Sequence, residues 1–168
     1  MNSLYPLLPV TALLMLPVTG ADSQTSNERT TNMSNTEITA KTQADEAHSF
    51  AEYEAIATAL LPYIDAAKTG DGELSRTAFY DHAHIVGSVG GEFSYPDADA
   101  FAENVSQIGA SPDVKSRIAW IDISGPAAAA KVEFINWSGL RFTDFFVLYK
   151  TDGQWKISGK VYDSHSNN

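Results

Sequence analysis

Asp144 stands in the run Phe142-Thr143-Asp144-Phe145-Phe146, a carboxylate set among aromatic rings. If the run is a strand, its side chains alternate. Phe142, Asp144, Phe146 and Leu148 then share one face, and Thr143, Phe145, Val147 and Tyr149 the other. A carboxylate facing an apolar cavity is costly to ionise, so desolvation raises its pKa and suits it to general acid or base work. The competing reading is structural: a carboxylate that hydrogen-bonds a hydroxyl, an amide or Arg141 and orders the sheet. His165 follows the last strand and becomes the candidate acid/base partner of Asp144 if that terminal segment reaches a pocket mouth. Alternation puts Tyr162 on the face opposite Trp155, which suits a contact with a second subunit.

Other groups carry weaker chemistry. His82 and His84 lie two apart and would point the same way on a strand, but no third metal ligand is near them in sequence, so no metal is expected. Trp120, Trp137 and Trp155 could stack a flat ligand or simply fill the core. Lys131, Glu133, Lys156 and Lys160 fit alternating outer-face positions, where cross-strand ion pairs are worth little each. Phosphate loops, nucleophile elbows and paired-histidine helix motifs are missing, and no cofactor is expected. With no cysteine, thiolate chemistry, disulfides and Cys-based zinc sites are excluded.

The elements that must position these groups are legible from periodicity. Tyr53, Ile56, Leu60, Ile64 and Ala67 recur at three- and four-residue spacing, so 49–68 reads as an amphipathic helix, with Pro62 expected to kink it. Gly70 to Gly72 stops it, Asp71 caps a short second helix over 73–80, and Pro96-Asp97 opens a third that ends at Gly109. Between them, Ala83, Ile85 and Val89 suggest a strand turning through Gly87, Gly90 and Gly91 toward Phe93. From Arg117 on the chain reads as four strands, 117–123, 128–137, 140–150 and 154–163, punctuated by Gly125-Pro126, Ser138-Gly139 and Asp152-Gly153. Helices segregated against a bent antiparallel meander make an α+β domain.

That order, and particular residues in it, resemble the family described as "Putative lumazine-binding", within the nuclear transport factor 2-like superfamily. The matching stretches are Tyr63-Ile64-Asp65 with Gly70-Asp71, Phe79 with 83–87, 121–125 leading into 130–133, then 142–146, 152–157 and 160–162. The resemblance covers about 53–165. It implies a cone-shaped fold, three helices on a strongly curved antiparallel sheet, with a pocket between sheet and helices and a homodimer through the outer sheet face. The apolar outer face of 140–150 suggests such a cover independently. The expected pocket lining is Phe79, Phe101, Trp120, Phe134, Asn136, Phe142, Phe146 and Trp155. Ketosteroid isomerases and polyketide cyclases share this fold and keep a carboxylate in the cone. Matching the isomerase base to this sequence lands on Gly87, which cannot move a proton, so that mechanism does not carry over.

The bulk properties narrow the partners. A formal net charge of -10 excludes the clustered basic surface that nucleic acid needs and disfavours docking on anionic lipid. Leu4 to Val18 is apolar but short and broken by Pro6, Pro9 and Pro17, so no stable membrane insertion is expected. It reads either as an export signal over 1–21 or as a segment upstream of a true start at Met33; the second reading, with a cytoplasmic protein, is preferred. The polar stretch from Asp22 to Ala47 is expected to be disordered, so residues 1–48 form an extension and 49–168 the domain. Three functions remain. The first is a homodimeric binding domain for a small apolar or aromatic molecule; the second is an isomerase, dehydratase or cyclase using Asp144 and His165. The third is a dimerisation module whose cavity is filled by its own side chains.

Overall fold

The computed structural model describes residues 35–165; the export signal and the alternative start at Met33 lie outside them. Helix α1, Asn35–Thr69, buries Ile56, Leu60, Tyr63 and Ala67 along one stripe. The stripe passes through Tyr63, leaving Ile64 half-buried and Tyr53 exposed. The helix continues through Pro62. Residues 35–47, expected to be disordered, are helical, and the side chains from Glu37 on are exposed. No Gly or Pro interrupts 36–61, and the Ala, Glu, Gln and Lys content there favours helix over coil. No helix among the described residues is long and apolar enough to cross a membrane.

Two shorter helices follow, α2 (Gly72–Thr77) and α3 (Ala98–Ile108). Each starts on an aspartate cap: the Asp71 carboxylate accepts from the Leu74 N–H at 2.8 Å, and that of Asp97 from the Ala100 N–H at 2.8 Å. Arg76 ties α2 to its neighbours through Asp99 at 2.5 Å and Asp81 at 2.8 Å. Phe79 and Tyr80, expected in the second helix, instead begin strand β1 (Phe79–Val89). Phe79 is fully buried and pairs with Ile157, so long-range sheet pairing overrides the local helical pattern.

The remaining strands are β2 (Glu92–Ser94), β3 (Lys115–Ser124), β4 (Ala127–Trp137), β5 (Leu140–Thr151) and β6 (Gln154–His165). They form a six-stranded sheet in the order β2-β1-β6-β5-β4-β3. All neighbours are antiparallel except β1 and β6, which run parallel, with Ile85 opposite Lys160 and Gly87 opposite Tyr162. The Asp152-Gly153 turn has positive φ at both residues, as a tight two-residue hairpin requires. The helices cover one face of this curved sheet, giving the expected α+β cone.

β5 alternates as its sequence predicts: Phe142, Asp144, Phe146 and Leu148 are buried, while Phe145, Val147 and Tyr149 are exposed. On β6 the alternation breaks. Leu148 pairs with Ile157 and Val147 with Gly159, leaving Ser158 as an extra residue, a β-bulge that reverses the phase of everything after it. Trp155 and Ile157 face inward before the bulge; Lys160, Tyr162 and Ser164 face inward after it. The sequence-based placement of Lys160 and Tyr162 on the outer face is therefore corrected: both are inside. Val161, Asp163 and His165 take the outer positions. A similar skip at Ala119 turns Trp120 outward, beside Phe145 at a ring separation of 6.4 Å. Of the expected ion-pair residues, Lys131 and Glu133 pair with each other along β4 at 2.7 Å, and the cross-strand partner of Glu133 is Arg117 on β3 at 2.5 Å.

Candidate functional site

Three polar side chains meet inside the cone. Tyr63 reaches in from α1, Asp144 from β5 and Lys160 from β6, where Lys160 lies diagonal to Asp144 across the strand pair. The Tyr63 hydroxyl donates to Oδ2 of Asp144 and accepts from Nζ of Lys160 at 2.5 Å. Nζ also lies 3.5 Å from the same carboxylate oxygen. Asp144 is 0% exposed and Lys160 3%. The second carboxylate oxygen, Oδ1, is buried with no hydrogen-bond partner among the described residues. The hydroxyl thus bridges amine and carboxylate as a one-step proton relay: a proton leaving Nζ can be taken by Tyr63 as Tyr63 passes its own to Asp144.

Burial dominates the electrostatics of all three groups. Desolvation raises the Asp144 carboxyl above its ordinary value, against the opposing pull of Lys160 and the Tyr63 hydrogen bond. Desolvation, with Asp144 adding to it, lifts Tyr63 well above the usual phenol range. Desolvation also lowers the Lys160 ammonium to about 8, although Asp144 works the other way. Aromatic faces surround the nitrogen: it lies 4.3 Å from the ring centres of Phe101 and Tyr162, and 4.6 Å from that of Tyr63. Ring faces favour the cation. The amine therefore stays protonated at neutral pH yet gives up its proton far more readily than a surface lysine.

A cavity of about 400 Å³ opens over this lysine, within the range of small-molecule sites. Its walls are largely apolar and aromatic, including Phe101, Trp137, Leu140, Phe142 and Tyr162, with Ser94, Asn104, Gln107 and Ser138 as polar points. Val89 and Ile108, both partly open to solvent, also line it. Among the described residues of that lining, Lys160 is the one with a charged side chain. Asp144 is not part of it. The carboxylate sits behind the lysine, so its influence reaches the cavity through Tyr63 and Lys160.

The expected lining residues separate into groups. Phe101 and Phe142 face the cavity. Phe79, Phe134, Phe146 and Trp155 are core; Trp155 donates its indole N–H to Glu52 at 2.8 Å. Trp120 lies on the outer face, turned there by the Ala119 bulge. Asn136 is the exposed extra residue of a bulge in β4, with φ at 66°, so neither it nor Trp120 lines the cavity. His165 does not meet Asp144. It is exposed on the opposite face, 2.8 Å from the Thr143 hydroxyl, because the bulge that turned Lys160 in turned His165 out. His82 and His84 are exposed too, and His82 stacks on Tyr80.

Sequence reasoning missed Lys160, Tyr63 and Tyr162 as site residues. The available signal was Gly159: an isolated glycine inside a strand pattern marks a bulge. Gly87 has a structural reason at the position matched to the isomerase base. A Cβ there would overlap both the carbonyl oxygen and the ring of Tyr162, so glycine is what lets Tyr162 lie against β1.

Comparison with known proteins agrees with the fold. Residues 51–163 match the family described as "Putative lumazine-binding". A nuclear transport factor 2-like protein of Methylobacillus flagellatus KT is 38% identical, covers 68% of this chain and 93% of its own, and superposes with a TM-score of 0.64. Another from Shewanella baltica OS155 is 35% identical over 70% of this chain and 97% of its own, with a TM-score of 0.66. Among curated proteins, Aldolase FrzH of Cladobotryum sp is 26% identical over 115 residues, 68% of this chain and 92% of its own length.

Proposed function

The chain belongs to the "Putative lumazine-binding" family of nuclear transport factor 2-like domains, and on that footing we propose that its cone binds a small, largely apolar carbonyl compound and moves protons beside that carbonyl. The observation that carries this reading is a buried amine, Lys160, in the lining of an aromatic cavity with Tyr63 and Asp144 hydrogen-bonded behind it. An ammonium at the base of an apolar pocket donates a strong hydrogen bond to a carbonyl oxygen and stabilises the enolate that forms when the neighbouring carbon loses a proton. The relay supplies the base. Lys160 passes a proton through Tyr63 to Asp144, its freed amine takes the proton from that carbon, and the ammonium so re-formed holds the enolate oxygen. Aldol, isomerisation and cyclisation reactions all pass through such a step, and the name of the Cladobotryum relative, an aldolase, lies in the same class.

Asp144 keeps its acid/base role in this reading, acting through Tyr63 and Lys160 instead of touching the substrate. A cavity of about 400 Å³ argues against the third function, a module filled by its own side chains. Exposed Trp120, Phe145, Val147, Tyr149 and Val161 on the outer sheet face support a homodimer formed there.

Proton exchange tests the reading directly. Small aryl ketones such as phenylacetone are incubated with the full chain in D₂O, and loss of the proton signal next to the carbonyl is followed by NMR. Exchange faster than in buffer, abolished by Lys160→Met, is the expected result. Exchange unaffected by that substitution, or absent across a panel of aryl ketones and aldehydes, would overturn the reading.

A further inference from the structure

We propose that Lys160 is a nucleophile, condensing with the carbonyl carbon of a small aromatic or apolar aldehyde or ketone to form an iminium held in the Phe101–Trp137–Tyr162 cage. This rests on the carbonyl-pocket reading above and adds a covalent bond to it. Three observations carry it. Lys160 belongs to the cavity lining, and its Nζ lies 4.3–5.9 Å from the rings of Phe101, Trp137 and Tyr162, which line the same cavity, so a carbonyl carbon held among those rings is brought beside the nitrogen. The amine has a built-in proton acceptor, since its hydrogen bond runs to the Tyr63 hydroxyl and on to Asp144. The ring faces that surround Nζ at 4.3–4.6 Å are equally suited to the delocalised cation of the product.

The step balances without an external reagent. Lys160 starts as the ammonium and passes one proton through Tyr63 to Asp144, which frees the nitrogen lone pair. That pair attacks the carbonyl carbon, an N–C bond forms, and the C=O π electrons move to oxygen, which takes a proton from the nitrogen. The neutral carbinolamine then expels its hydroxyl as water, using the proton stored on Asp144, while the nitrogen lone pair closes the C=N bond. Ammonium and carbonyl have become iminium and water. The iminium withdraws electrons from the adjacent C–H more strongly than the carbonyl did, which makes that C–H more acidic.

The nitrogen's protonation equilibrium supports selectivity over the rest of the surface. With Lys160 at about 8 and an ordinary lysine at 10.5, the neutral fraction at pH 7 is about 300-fold larger for Lys160. The buried position restricts access and works against part of that advantage.

Reductive trapping decides the matter. The full chain is incubated with benzaldehyde and sodium cyanoborohydride at pH 7, and the resulting benzylamine is located by peptide mass mapping. The expected result is one benzyl group, on Lys160, formed about tenfold faster or more than on any of Lys41, Lys68, Lys115, Lys131, Lys150 and Lys156. The rate at Lys160 should level off above about pH 8. Benzyl alcohol, which fits the same pocket but has no carbonyl, serves as the binding probe through NMR shifts of Phe101 and Trp137. Label spread over surface lysines while benzyl alcohol still shifts those resonances would overturn the iminium and leave the pocket reading standing. No shift with either compound, and no preference for Lys160, would overturn both.

Discussion

Burying a lysine whose ammonium is held near 8 makes the stability of the fold depend on pH in an unusual direction. In the unfolded chain Lys160 keeps its proton up to about 10.5, whereas in the folded chain it releases it near 8. Between those values the unfolded state binds more protons, so stability rises with pH. It is lost again as pH falls through the folded value. A displacement from 10.5 to about 8 corresponds to roughly 3 kcal/mol in total, of which about 2 kcal/mol appears between pH 7 and pH 9.5. The perturbation is the double substitution Asp144→Asn with Lys160→Met, which removes both titrations and leaves Tyr63 a hydrogen-bond partner in the amide. The assay is urea unfolding of both proteins at the two pH values, taking wild type minus variant so that other tyrosines and lysines cancel. The difference should grow in favour of wild type by about 2 kcal/mol on going to pH 9.5. At pH 7 the variant should match wild type or exceed it, because a buried ion pair seldom outweighs its own desolvation. A difference that is flat, or that falls with pH, would refute the claim that burial controls this lysine.

Two further outcomes follow from the packing. Gly87→Ala should destabilise by about 1–3 kcal/mol in urea, since the new methyl meets the backbone of Tyr162, which cannot swing aside; a neutral result would mean that β1 and β6 are not held at this separation. Phe145→Glu puts a charge at the centre of the exposed outer face without touching the core. Wild type should sediment as a dimer and the variant as a monomer with the fold retained by circular dichroism; identical sedimentation of the two would remove that face as the interface.

Most of the scaffold could be read from local pattern because local forces decide it. Asp71 and Asp97 cap the helices they were expected to cap, and the β5 alternation that isolates Asp144 holds residue by residue. The site was only half legible. A strand pattern carries phase forward faithfully until one residue is inserted, and then every later assignment inverts. Ser158 is such an insertion, and it turned His165 outward and Lys160 inward, to the face that holds Asp144. Ala119 did the same to Trp120. Tyr63 was hidden differently: on α1 it occupies an ordinary core position, and nothing in its spacing distinguishes a buried hydroxyl with a polar partner from a buried ring. Its partners lie 81 and 97 residues away in sequence. The parallel pairing of β1 with β6 is likewise a long-range event with no local signature.

The claim at the centre of this account is that Lys160 is a buried amine whose proton is easily removed. Its direct test is an NMR titration of the lysine Cε resonances of the full chain, with Lys160→Arg identifying the signal. A midpoint near 8 is the predicted result. A Lys160 midpoint near the ordinary lysine value of 10.5 would contradict the account and return the residue to an ordinary structural cation.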